Sequence, residues 1–245
     1  MDKIKSISVV IPAYNEEAII KESIISLHRV LTNTANSFEI IVIDDGSVDQ
    51  TLSILNGLLS SLSHLRILHN DLNSGLGFSI RKGFSAAQEE LIFYTDADMP
   101  IDYMQIYKAV SLLNDAGADL VCGYRKNRGG EPFHRTVYSV IYNWLINKVF
   151  GLKVRDVNFS CKLFKRKLAQ DLSLISKGSF IDAEAVVKTV YRGNKMIQFG
   201  LDYFHRNKGR SNLASPKVII GILGEMFAQY RSIITLKRYG QKTYS

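Results

Sequence analysis

Asp96-Ala97-Asp98 follows the short apolar run Leu91–Thr95. Two carboxylates one residue apart, with a small side chain between them, can face one hard cation from the end of a strand. Mg²⁺ or Mn²⁺ takes oxygen ligands of this kind and shares them with substrate phosphates. The same residues also read as a solvated loop, and Asp102 reads as a cap of the next helix. A second acidic group, Asp44-Asp45-Gly46-Ser47-Val48-Asp49, closes the apolar run Phe38–Ile43. Adjacent carboxylates repel unless they have partners. Asp45 suits a ribose hydroxyl or a base N–H, Asp49 suits the positive end of a helix, and Gly46 permits a tight turn.

Other chemistries are excluded by what the chain lacks. Gly75-Leu76-Gly77 is no dinucleotide fingerprint, because Ile80 stands where the third glycine belongs and the run does not follow the first strand. It reads instead as a place where the backbone approaches a ligand or a neighbouring strand. There is no Walker A loop and no GxSxG elbow. His28, His64, His69, His134 and His205 show no metal-binding spacing, and Cys122 and Cys161 form no CxxC, which points to two reduced, buried thiols. Arg125, Arg128, Arg135, Arg206, Lys208 and Arg210 supply cations, and arginine forks match phosphate geometry.

The elements that must position these residues alternate. Strand patterns fall at Ile7–Ile11, Phe38–Ile43, Leu65–His69, Leu91–Thr95 and Asp119–Cys122. Helical spacing falls between them at Glu16–Leu31, Asp49–Leu62, Leu76–Gln88 and Asp102–Ala116. This order predicts an α/β fold, a mostly parallel sheet flanked by helices, with ligands beyond the carboxyl ends of the strands. The second half is less regular. It predicts helices at His134–Phe150, Phe180–Arg192 and Pro216–Arg238, and strands at Phe159–Phe164 and Met196–Phe204.

The chain has 245 residues and a net charge of +8, but the charge is divided. Residues 1–122 hold 8 basic and 16 acidic side chains (8 − 16 = −8), and residues 123–245 hold 23 and 7 (23 − 7 = +16). The halves therefore suggest two tasks. A hydrophobic content of 46% with 4 prolines excludes a disordered or collagen-like chain. No segment reads as membrane-spanning, and the N-terminus carries no signal-peptide pattern, so a cytoplasmic protein is expected. Val218, Ile219, Ile222, Leu223, Met226, Phe227 and Tyr230 form a wide apolar face beside Lys217, Arg231, Lys237 and Arg238. That face suits a bilayer surface, core packing, a homodimer contact or a membrane-protein partner. A nucleic-acid partner is not expected, since no binding motif accompanies the basic half.

Taken in order, these pieces resemble the family 2 inverting glycosyltransferases of GT-A fold, nearest their polyprenyl-phosphate branch. The matching pieces are Val9-Val10-Ile11-Pro12-Ala13-Tyr14-Asn15-Glu16, Ile43-Asp44-Asp45-Gly46-Ser47-Val48-Asp49, Gly75-Leu76-Gly77, Asp96-Ala97-Asp98 and Gly123-Tyr124-Arg125. Arg135, Gly151-Leu152-Lys153-Val154-Arg155-Asp156, Lys162-Leu163-Phe164, Glu184 and Arg206-Asn207-Lys208-Gly209-Arg210-Ser211 follow. The resemblance implies one transferase domain over 1–213, with a nucleotide-sugar half at 1–125 and an acceptor half at 126–213, then an amphipathic helix at 214–245. It implies that Pro12, Tyr14, Glu16, Asp45, Asp96 and Ala97 bind the nucleotide-sugar, and that Asp96 and Asp98 hold Mg²⁺ or Mn²⁺. Asp98, Arg125, Arg135 and Arg206 would carry the catalytic and phosphate contacts. A GDP-mannose or UDP-glucose type donor and a polyprenyl-phosphate acceptor would place the chain peripherally on the cytoplasmic face of a membrane.

The alternative acceptor is a saccharide hydroxyl, which needs a general base, for which Asp156, Asp182 and Glu184 are candidates. Three departures stand out. Pro100 occupies the place of a glutamine metal ligand, and Ser160-Cys161 replaces the Gly-Phe before Lys-Leu-Phe. Ser211-Asn212 likewise replaces a Ser-Lys.

Overall fold

The computed structural model describes residues 3–98, 101–127, 133–202 and 216–240, by backbone alone at 133–135, 216, 217, 219 and 237–240. Seven strands form one sheet. They are β1 (Ile4–Ala13), β2 (Ala35–Asp44), β3 (Leu65–His69), β4 (Leu91–Tyr94), β5 (Leu120–Arg125), β6 (Lys162–Lys165) and β7 (Met196–Leu201). Their spatial order is β3-β2-β1-β4-β6-β5-β7. Every neighbouring pair is parallel except those made by β6, which runs antiparallel to both β4 and β5. The expected mostly parallel sheet is thus present, with one reversed strand near its middle.

Alternate residues of the strands feed two cores. Val9, Ile11, Ile40, Val42 and Phe93 face one side, where α1 (Ile20–Thr34), α2 (Thr51–Leu58) and α4 (Met104–Ala116) pack. Val10, Ile41, Ile43, Ile92 and Tyr94 face the other, covered by α3 (Leu76–Ala86), α5 (Phe133–Phe150), α6 (Arg166–Asp171), α7 (Ile181–Tyr191) and α8 (Pro216–Gly240). Burial on both faces is why the central strands read as unbroken apolar runs.

Some boundaries move for local reasons. Helix α1 starts at Ile20 rather than Glu16, because the Ile19 and Ile20 amides first close a turn on the Glu16 carbonyl. Strand β6 starts at Lys162 rather than Phe159, because residues 156–159 turn, with the Phe159 amide donating to the Asp156 carbonyl. Helix α6 has only six residues, too few to display a helical period in sequence. The end of the expected strand Met196–Phe204 lies outside the described residues.

The last helix is partly core. Ile222, Met226 and Ile233 are buried, and Gln229 Nε2 on the same stripe donates to Ser176 Oγ at 2.9 Å. Glu225 Oε1 accepts the Lys177 and Gly178 amides at 2.8 and 2.9 Å, tying α8 to the loop before α7. Ile220 and Phe227 point away from this face and are 69% and 72% exposed.

The glycines at the start of α3 serve this same loop. A Cβ on Gly77 would lie 2.3 Å from the Ser176 carbonyl oxygen, and the Gly77 amide donates to the Lys177 carbonyl at 2.8 Å. Gly75 sits at φ +94° with its missing Cβ 2.6 Å from the Lys177 oxygen. The backbone therefore approaches a loop, not a strand. Because backbone cannot yield like a side-chain tip, Gly77→Ala should cost about 2 kcal/mol, lowering Tm by roughly 4–8 °C in thermal unfolding.

Candidate active site

The carboxyl ends of the parallel strands bring Pro12, Tyr14, Glu16, Asp45, Asp96, Ala97, Asp98 and Arg125 to one edge. Beyond β1 lie Tyr14, which is exposed, and half-buried Glu16; Pro12 is the penultimate residue of the strand. This segment is laced to the loop after β2. Asn15, at φ 55°, accepts the Val48 amide on its side chain at 2.9 Å, and its own amide donates to Ser47 Oγ at 3.0 Å. The Glu16 amide donates to Thr51 Oγ1 at 2.8 Å. Asp49 accepts the Thr51 amide and hydroxyl at 2.9 and 2.6 Å, so it shapes the start of α2 as a helix-end acid should.

The adjacent pair Asp44–Asp45 is buried, and each carboxylate has its own partner. Asp44 Oδ2 meets His69 Nδ1 at 2.7 Å. Asp45 Oδ1 accepts Asn70 Nδ2 at 2.8 Å and the Ser74 amide at 3.0 Å, while Oδ2 accepts the Gly75 amide at 2.9 Å. Lys82 Nζ reaches Asn70 Oδ1 at 2.6 Å and the His69 carbonyl at 2.7 Å. Asp45 thus anchors the 70–75 loop, a role its sequence did not reveal.

At the end of β4, Ala97 turns into the core while Asp96 and Asp98 are half-buried. Burial, then the neighbouring Asp98 charge, pushes Asp96 up to about 7, and the Ser160 hydroxyl acts against them. Two partly desolvated like charges are the situation a divalent cation relieves. Among the described residues no cluster of three or more His, Cys, Asp or Glu surrounds a metal position. Two carboxylates, with phosphate and water filling the other places, fit Mg²⁺ or Mn²⁺. Pro100 lies outside the described residues. Met104 N donates to Asp102 Oδ1 at 3.0 Å, so Asp102 is a cap-like residue of α4.

Arg125 ends β5. Its Nε and Nη2 grip Asp156 Oδ2 and Oδ1 at 2.7 and 2.9 Å, and its guanidinium lies 5.3 Å from the Phe159 ring centroid. Asp156 is therefore an orienting partner rather than a base. The other two candidate bases are similarly engaged. Asp182 accepts Lys162 Nζ at 2.6 Å, and both are buried. Glu184 accepts the Ile175 and Ser176 amides at 2.9 Å each and pairs with Lys188 at 2.6 Å. The Arg135 side chain, Arg128, Arg206, Lys208 and Arg210 lie outside the described residues. Cys122 and Cys161 are free and buried, as expected, and burial pushes the Cys122 thiol up to about 12.

Beside Arg125 a cleft of about 530 Å³ is lined by Tyr124, Lys126, Asn143, Trp144 and Arg155. Arg155 Nη1 donates to Tyr124 Oη at 2.7 Å, and its guanidinium covers that ring at 4.6 Å. Sequence reasoning missed Lys126, Arg155 and Trp144 as neighbours of Arg125. It also missed Asn158, whose Oδ1 is buried without a hydrogen-bond partner among the described residues.

A helix-flanked, mostly parallel sheet with an acidic edge of this kind defines a GT-A-type α/β fold. The family description Glycosyl transferase family 2 matches residues 8–173, and the chain belongs to that family. It is 28% identical over 226 residues to dodecaprenyl-phosphate galacturonate synthase of Rhizobium johnstonii, covering 90% of this chain and 66% of that protein. It is 28% identical over 227 residues to glycosyltransferase AglD of Haloferax volcanii, covering 88% of this chain and 35% of that one. The chain thus spans about a third to two thirds of these relatives. Glucosyl-3-phosphoglycerate synthase from Mycobacterium tuberculosis, solved with phosphoglyceric acid, superposes with a TM-score of 0.68 at 24% identity. That match covers 90% of this chain and 79% of the other. The same enzyme solved with Mn²⁺, UDP and glucosyl-3-phosphoglycerate gives 0.65 at 23%, covering 95% and 78%. At this identity the likeness establishes the fold.

The raised Asp96 gives a pH signature. Between about pH 4 and pH 7 the unfolded chain releases this proton while the folded chain keeps it, so stability falls as pH rises through that window. Above it, metal-free protein carries the full cost of both charges. Asp96→Asn should therefore raise the metal-free Tm at pH 8 by roughly 5 °C. The same variant should lose the stabilisation that wild type gains from added Mn²⁺. Differential scanning calorimetry with EDTA or Mn²⁺ measures both; a variant less stable than wild type without metal would contradict the assignment.

Proposed function

We propose that this protein transfers a sugar, with inversion, from a nucleoside-diphosphate donor to a polyprenyl phosphate. The observation that carries the proposal is the Asp96–Asp98 pair at the same sheet edge as Arg125. Pro12, Tyr14, Glu16 and Asp96 would line the donor side, with Asp45 supporting it by holding the 70–75 loop in shape and Ala97 by packing into the core between the two acids. Asp96 and Asp98 would hold Mg²⁺ or Mn²⁺, which when bound neutralises charge on the departing diphosphate. A fold neighbour solved with Mn²⁺ and UDP supports this division of parts.

The acceptor class follows from proton accounting. A lipid phosphate is anionic near pH 7 and attacks the anomeric carbon without losing a proton to the enzyme. A saccharide hydroxyl would need a base, and Asp156, Asp182 and Glu184 are each committed to a cation. The cleft beside Arg125 offers Lys126 and Arg155 for an anionic head group and Trp144 for an apolar neighbour. Arg135 and Arg206 would add to the anion contacts. The name of the Rhizobium relative supports a polyprenyl-phosphate acceptor.

Purified protein should release nucleoside diphosphate from one of a panel of UDP- and GDP-sugars only when polyprenyl phosphate is present. Asp98→Asn should lower that turnover by about 10²–10³-fold without lowering Tm. Transfer only to saccharide hydroxyls would refute the acceptor assignment.

A lipid acceptor also requires access to a bilayer. Among the described residues no helix is long and apolar enough to cross one. Helix α5 instead exposes Val140, Ile141 and Trp144, and Lys148 Nζ lies 4.8 Å from the Trp144 ring centroid. Helix α8 lies beside it, with the Phe150 and Tyr230 ring centroids 6.0 Å apart, and adds Ile220 and Phe227. Apolar groups rimmed by lysine suit an anionic membrane surface. Liposomes containing anionic lipid should float the protein at low salt, and Ile141→Glu with Trp144→Ala should weaken flotation several-fold. Absence of binding by the unaltered protein would count against peripheral association.

A further inference from the structure

Strand β6 pairs with β4 in antiparallel register, with Phe93 opposite Leu163 and Tyr94 opposite Lys162. The ladder ends there, and two residues further toward the carboxyl edge on the two segments stand Asp96 and Ser160. The Lys162 ammonium stands 5.7 Å from the Tyr94 ring centroid, so the last paired residues of β4 and β6 turn their side chains to the same face. Ser160 is 2% exposed, and its oxygen has no hydrogen-bond partner among the described residues. A buried hydroxyl is rarely left in that condition unless a ligand completes its surroundings. The glycine that the family resemblance leads one to expect here has no hydroxyl at all.

The turn that carries Ser160 is held from both ends. Asp156 is clamped by Arg125, and the Phe159 carbonyl accepts Lys162 Nζ at 2.5 Å. Lys162 is fixed in turn by Asp182 at 2.6 Å. The turn therefore presents the Ser160 hydroxyl from a rigid support. We propose that Ser160 is a positioning residue of the divalent-cation site, donating to one oxygen of Asp96 and turning the other toward the cation. It acts through Asp96 and touches neither sugar nor acceptor. This inference rests on the metal-dependent reading above.

Its test is direct Mn²⁺ binding, read by electron paramagnetic resonance of free Mn²⁺, alone and with UDP or GDP, alongside thermal unfolding. Wild type, Ser160→Ala, Ser160→Cys and Asp98→Asn are compared. Outer partners of metal ligands typically set affinity by about 10–100-fold, so Ser160→Ala should bind Mn²⁺ roughly 10-fold more weakly. Its Tm should stay unchanged, because the hydroxyl holds nothing else. Ser160→Cys, which nearly keeps the volume but donates weakly, should also lose affinity, and it stands in for the alanine variant if that variant folds poorly. Affinity equal to wild type in these variants, while Asp98→Asn still loses binding, overturns the role of Ser160 and leaves the cation site intact. Wild type that binds no Mn²⁺, or Asp98→Asn that binds as well as wild type, overturns both.

Discussion

The reversal of β6 between β4 and β5 governs the geometry of the acidic edge. In a parallel sheet each strand delivers the residues after its carboxyl end to the ligand side. A strand running the other way delivers the residues before its start. Residues 156–161 therefore arrive at the edge already occupied by Asp96, Asp98 and Arg125. Asp156 can then orient Arg125, and Ser160 can face Asp96. Had this segment paired in parallel, the same side chains would sit at the opposite edge, and Arg125 would have no carboxylate to grip.

The electrostatics of the site follow from that arrangement. The edge is crowded with acids, and most have a cation or a set of amides assigned to them. Asp44 has His69, Asp45 has Asn70 and two amides, Asp156 has Arg125, and Asp182 has Lys162. Breaking a buried ion pair by removing one partner is strongly destabilising, so Asp156 and Asp182 serve as structural partners of Arg125 and Lys162. Asp96 differs. It is opposed chiefly by burial and by Asp98, with a serine hydroxyl as modest relief. Asp96 belongs to the pair that family resemblance assigns to a cation. The same accounting favours an acceptor that arrives already ionised.

Much of this was legible in the sequence, and the exceptions have physical causes. The central strands could be read because burial on both faces leaves long apolar runs. The helices with a clear period were found to within a few residues. Asp96, Asp98 and Arg125 were recognisable because each follows a strand, and strand ends share an edge. The six-residue α6 and the turn ahead of β6 were not legible, since neither is long enough to show a period. The direction of β6 was equally hidden, because an apolar strand reads the same whichever way it pairs. For that reason Asp156, Asp182 and Glu184 all looked like available acids. Only their distances to Arg125, Lys162 and Lys188 identify them as structural partners.

The division of charge along the chain acquires a spatial meaning from the sheet. The −8 half supplies β1 to β4, the first three residues of β5 and Asp44, Asp45, Asp96 and Asp98, and the +16 half supplies the last three residues of β5, β6, β7 and the arginine-lined cleft. Because β6 is inserted beside β4, the two halves share one sheet rather than forming separate bodies. An anionic donor and an anionic acceptor repel one another. Bringing them together needs positive charge at their junction and negative charge only where a cation is to be held. On the proposed reading, a chain whose basic half folds back beside its acidic edge would place that junction between Asp96 and Arg125, where each sign of charge would lie near the ligand it must balance.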